Sequence, residues 1–127
     1  MSWVRDTVQA FGRSIGLTNL TLDDEGSLLL QTGDGGLVGI IDAHDDDSPA
    51  VIVYRSAPLS FAPERKFRRA LHLTDFRRRR AWPIQVGAHD GLVTIAMRVS
   101  AREFTPPVLE QALTELTRLH ASLDGRS

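Results

Sequence analysis

The residues that could do chemistry in this chain are few and scattered. Gly12-Arg13-Ser14-Ile15-Gly16 matches the Gly-x-Ser-x-Gly pattern of a serine nucleophile. That pattern works when a strand-to-helix turn thrusts the hydroxyl out over a sheet. Here it falls at the end of a predicted helix with no strand before it. A chain of 127 residues is also too short for the hydrolase architecture that surrounds the motif. A helix end is the better reading. Gly33-Asp34-Gly35-Gly36 lacks the Lys and Ser/Thr that complete a phosphate loop, so it reads as a hairpin turn. Asp42, His44, Asp45, Asp46 and Asp47 are hard-cation ligand types. A calcium loop, however, needs alternating ligands, a mid-loop glycine and a distal bidentate Glu, and Ser48-Pro49 ends the run. A solvated acidic loop is expected. His44, His72, His89 and His120 have no zinc-motif spacing and are expected at the surface or its rim. The absence of Cys excludes disulfides, thiolate metal sites and Cys nucleophiles. No catalytic activity, cofactor or metal is expected.

The remaining chemical signal is charge. Arg65, Lys66, Arg68, Arg69 and the arginine run 77–80 place eight cations in 16 positions. Such a cluster suits nucleic-acid phosphates or an acidic protein, and equally a solvated helix face. Phe67, Phe76 and Trp82 interleave with it, as stacking on single strands would require. At helical spacing such aromatics more often pack inward, so nucleic acid is the weaker reading, though the cluster does not exclude it. Net charge is only -1, but residues 1–63 sum to -6 and residues 64–127 to +5. Hydrophobic residues make up 42% and charged residues 24%, which suits one soluble domain over residues 1–127. No apolar run approaches the roughly 20 residues of a membrane span. Arg5, Asp6 and Gln9 break the apolar stretch a signal peptide would need. A soluble, cytoplasmic protein is the expectation.

The elements that must position these residues follow from periodicity. Val4, Val8, Phe11 and Ile15 recur at helical spacing, which predicts a helix over 2–14 stopped by Gly16. Strands are predicted over 19–23, 27–32 and 37–42, with Asp24-Glu25-Gly26 and the Gly33–Gly36 segment as turns, making a three-strand meander. The β-branched run 50–54 predicts a further strand. Pro63 can open a helix running to about 73, with Phe67, Ala70 and Leu71 on one side. Strands over 81–86 and 92–99 form a hairpin turned at 88–91. Thr105 caps a last helix with Pro106 at its first position, and Leu109, Ala112, Leu113, Leu116, Leu119 and Leu123 form its stripe. The predicted class is α+β: helix, antiparallel three-strand meander, helix, two-strand hairpin, helix.

Several segments resemble one family. Residues 20–30, with their Leu-x-Leu-Asp and glycine turn, are similar to the first hairpin of the class I type III secretion chaperones, the Tir-chaperone family. Residues 37–41 resemble its third strand. Residues 90–99, leading to Phe104 and 108–123, resemble its last strand and closing helix. The chain departs from the family's acidic tendency at residues 65–80, and its segment from 51 to Pro63 is enlarged. The order of elements also resembles YbjN-like domains, whose role would be regulatory or interactive. The chaperone resemblance implies a homodimer without enzymatic activity that binds the N-terminal segment of a secreted effector. It implies a dimer interface at the middle helix and its neighbouring strand, by position Phe67, Leu71, Phe76, Trp82 and Ile84. It implies a client lying across the first helix and meander, at Val4, Val8, Phe11, Leu20, Leu22, Leu28 and Leu30. The periodicity of these same residues also suits a plain core.

Overall fold

The computed structural model describes residues 2–17, 20–31, 36–43, 49–58, 65, 68, 82–89 and 91–123. Helix α1 (Ser2–Ser14) opens the chain. Its buried side is Val4, Thr7 and Val8, with Phe11 half-buried against the same core. The helix ends in a Schellman motif. Gly16 takes φ 86°, its N–H donates to Arg13 O at 3.2 Å, and the Leu17 N–H donates to Gly12 O at 2.7 Å. Gly12 serves close packing: a Cβ there would lie 2.6 Å from Leu20 Cβ and 2.7 Å from Leu17 O. The three ordered letters of the Gly-x-Ser-x-Gly pattern are thus a tight approach, a helix end and a left-handed cap.

Five strands follow: β1 (Ser27–Gln31), β2 (Leu37–Ala43), β3 (Ala50–Pro58), β4 (Ile84–His89) and β5 (Leu92–Ser100). They form one sheet in the order β1-β2-β3-β5-β4, antiparallel at every pairing. The meander is therefore β1-β2-β3, and the hairpin β4-β5 places β5 beside β3 and β4 at the far edge. The strand expected over 19–23 is corrected. Residues 20–23 are not a strand, and Leu20 and Leu22 instead pack into the core at 7% and 4% exposure. A local turn explains this. Asp23 Oδ1 accepts the N–H of Glu25 and of Ser27, both at 2.9 Å, and Gly26 has φ 80°. The bend uses up the segment before a ladder can start. The strand expected over 50–54 is β3, and it runs four residues further.

One face of the sheet carries the core. Val93, Ile95, Met97 and Val99 alternate along β5, and their register partners Val51 and Val53 point the same way. Each of these six is at most 2% exposed, so each contributes roughly 1.5–3 kcal/mol of burial. Helix α2 (Pro106–Leu123) lies over β3 and β5 and against α1, burying Leu109, Ala112, Leu116, Leu119 and Leu123. Thr105 Oγ1 accepts the Val108 N–H at 3.4 Å, and Pro106 occupies the first helical position, as the sequence predicted. A short 3-10 turn, Ala101–Glu103, and the fully buried Phe104 join β5 to α2. Thr7 Oγ1 donates to Phe104 O at 3.1 Å and ties α1 to that junction.

The middle helix expected over 63–73 lies mostly outside the described residues. Arg65 and Arg68 are helical and exposed, three residues apart. No described helix is long and apolar enough to cross a membrane.

Candidate functional site

Besides the exposed Trp3 on the first turn of α1, two apolar features stand at the surface of the described residues. The first is the sheet edge at β1. Register places Leu28 opposite Ile40 and Leu30 opposite Val38, so both face the helices, half-buried against the core. Leu29, opposite Gly39, faces the other side and is 57% exposed. The outward N–H and C=O of Ser27 are taken by Asp23, so among the described residues the open part of this edge is at Leu29 and Gln31, with leucines on both faces of the strand. Leu29 shares its row with Gly39, Tyr54 and Ala96. The Tyr54 ring lies over Gly39 and occupies the space a Cβ would need there.

The second feature is an open groove of about 400 Å³ between the end of α1 and the outer side of α2. Phe11, Ile15 and Leu113 give it an apolar lining, and Ser14, Glu110, Thr114 and Thr117 give it polar side chains. Ile15 is 52% exposed, and Leu17 follows it at 44%. Helical periodicity carries the α1 stripe one turn beyond the core, which is why Ile15 emerges where Val4 and Val8 are covered.

The client-contact residues expected from the sequence thus divide. Phe11, Leu28 and Leu30 stand at the rim, half-buried. Val4, Val8, Leu20 and Leu22 are core side chains at 1%, 0%, 7% and 4% exposure, so a partner can touch only the rim they support. Trp3, Leu17 and Leu29 were not among the expected contact residues, and Ile15 was expected only as part of the α1 stripe. The alternation of 28–30 signalled a strand, but which leucine faced out depended on where β2 paired. Of the expected interface residues, Ile84 begins β4 and Trp82 sits in the bend just before it, both partly buried against the core. Phe67, Leu71 and Phe76 lie outside the described residues.

The chemical candidates resolve simply. The Ser14 hydroxyl donates to Phe11 O at 2.7 Å on the terminal turn of α1. A helix precedes it where a nucleophile elbow would need a strand. His120 is a correction: it is 7% exposed, not at the rim, with Nε2 2.8 Å from Arg55 O, linking α2 to β3. His44, His72 and Asp45–Asp47 lie outside the described residues, while Asp42 is buried in β2. Among the described residues no three His, Cys, Asp or Glu side chains gather to hold a metal.

Comparison with known proteins agrees with this architecture. The model of the Tir chaperone protein (CesT) family matches residues 7–123. No curated protein sequence matches the chain significantly. Among solved structures, a chain of the ExsC-ExsE complex superposes with TM-score 0.70 at 20% identity, covering 94% of this chain and 89% of that one. The Yersinia pestis type III secretion chaperone SycH, solved with a stable fragment of YscM2, gives TM-score 0.72 at 11% identity, covering 94% and 98%. A chain of the HopA1-SchA chaperone-effector complex gives 0.66 at 13% identity, covering 95% and 92%. At these identities the likeness is one of fold.

Proposed function

The chain belongs to the Tir chaperone protein (CesT) family, and we propose from that premise that it is a type III secretion chaperone. It binds the N-terminal segment of a secreted effector and keeps that segment extended and export-competent. The observation that carries this reading is β1: a terminal strand of the sheet with Leu29 exposed and Leu28 and Leu30 beside it. An extended client can add main-chain hydrogen bonds along such an edge while its alternate side chains contact the apolar rim. A wide apolar surface is needed because an extended client loses conformational freedom on binding. Phe11 and the groove beyond it offer a second apolar surface at the end of α1. The solved relatives described above as complexes with an effector or another protein support the same reading.

The chaperone acts as a homodimer in the cytoplasm and without catalysis. The interface is centred on Phe67, Leu71, Phe76, Trp82 and Ile84. Trp82, two residues before β4, and Ile84, its first residue, both keep part of their surface exposed at that edge of the sheet, and this supports the position. The direct experiment is a calorimetric titration of the purified chain with the N-terminal segment of the secreted protein encoded beside it. Saturable 1:1 or 1:2 binding is expected. Replacing Leu29 by Asp should weaken it about tenfold or more, because the carboxylate is hydrated in the free protein and desolvated in the complex. Absence of binding by the folded wild type to any such segment would overturn the reading.

A further inference from the structure

We propose that the groove between α1 and α2 is a subsite for a Lys or Arg side chain of the client, with the stem on the apolar floor and the cation at Glu110. The proposal rests on the client-binding reading and adds a chemical preference to it. The floor is Phe11, Ile15 and Leu113. What distinguishes the groove from a plain apolar patch is the direction of its hydrogen bonds. The Ser14 hydroxyl already donates to Phe11 O at 2.7 Å, and the Thr117 hydroxyl to Leu113 O at 2.9 Å. Each hydroxyl has one hydrogen, so both oxygens present only lone pairs to a ligand. Glu110 adds an exposed carboxylate, which accepts and cannot donate when ionised. Three of the four polar groups among the described lining residues therefore accept, and none of those residues is a cation.

An acceptor-rich rim over an apolar floor suits one kind of side chain best. Lys and Arg bury a methylene stem along apolar surface and keep a donor-only head at the polar rim. A Glu or Asp would meet Glu110 with like charge. A Leu would leave the acceptors unmatched. Glu110 forms no ion pair with another described residue, so a client cation would meet no competitor among them.

The test uses the full chain labelled with nitrogen-15 and three peptides with identical apolar flanks and a central Arg, Gln or Glu. Shifts of the Ser14, Thr114 and Thr117 amides report groove occupancy. The Arg peptide should move these amides and bind about threefold to fivefold more tightly than the Gln peptide, with the Glu peptide weakest. Glu110→Gln should erase the Arg-over-Gln preference. Its melting temperature should stay unchanged, because the side chain is exposed. Equal affinities for the three peptides, a preference that survives Glu110→Gln, or no movement of the groove amides would each overturn the proposal. Peptides that move only the Leu28–Gln31 amides would overturn the groove assignment and leave client binding at β1 standing.

Discussion

At the scale of single residues, position in the core separates the leucines and valines more sharply than their type. Val8 is fully buried, whereas Leu29 is more than half exposed. Val8→Asp should therefore cost more than about 4 kcal/mol, a large share of a typical domain's stability, because a carboxylate in that site has no water. Circular dichroism should show the domain unfolded or melting far below wild type. Leu29→Asp should leave the melt within a few degrees of wild type and change only client affinity. If Leu29→Asp also collapses the melt, the residue is structural and the β1 reading loses its support. Gly39 makes a different prediction. Because the Tyr54 ring fills the position of its missing Cβ, Gly39→Ala should destabilise by about 1–3 kcal/mol. The same change in a Tyr54→Ala background should cost much less. Equal costs in a urea-melt double-mutant cycle would show that the ring yields freely.

At the scale of elements, the ends of the helices carry as much of the design as their faces. α1 stops at a Schellman motif that requires the left-handed backbone of Gly16. Gly16→Ala should destabilise by about 1 kcal/mol through that backbone conformation alone, since a Cβ there meets nothing within 4 Å. A thermal melt checks this, and an unchanged midpoint would mean the cap relaxes into another turn. Thr105→Ala removes the side-chain cap of α2 and should cost a similar ~1 kcal/mol. By contrast, the Arg118–Glu115 pair lies exposed on α2, with Arg118 Nε donating to Glu115 Oε2 at 2.9 Å. Glu115 holds the Arg118 guanidinium more firmly protonated than usual by hydrogen bonding and charge. Removing such an exposed pair should shift stability by only about 0.5 kcal/mol or less.

At the scale of the molecule, the sheet has two unlike edges. β1 ends it on one side with exposed leucine, and β4 ends it on the other with Ile84 turned to the core. The proposed roles follow that asymmetry, with client at one edge and a second copy near the other. Light scattering across a concentration series should return a dimer mass at micromolar protein. Trp82→Ala should shift the series toward monomer without weakening client binding at β1 in proportion. A monomer mass at high micromolar concentration would remove the homodimer from the reading, and an intact dimer after Trp82→Ala would move the interface elsewhere.

The order of elements was legible in the chain because local physics writes it there. The period of Leu109 to Leu123 and the Thr105-Pro106 cap together predict α2, the alternation of Val93 to Val99 predicts β5, and both elements formed. The resemblance carried by residues 20–30 and 90–123 likewise pointed to the family that residues 7–123 match. Four matters rested on long-range packing, which no local pattern encodes. Leu20 and Leu22 alternate like a strand, but the Asp23 turn and the covering α1 made them core without a ladder. His120 resembled a rim histidine until Arg55 O of a distant strand met its ring. Pairing of β1 with β2 decided which of three consecutive leucines would face water. The groove also needed two helices far apart in the chain to bring Phe11 and Ser14 to Glu110 and Thr117, so its hydrogen-bond polarity belongs to the tertiary structure alone.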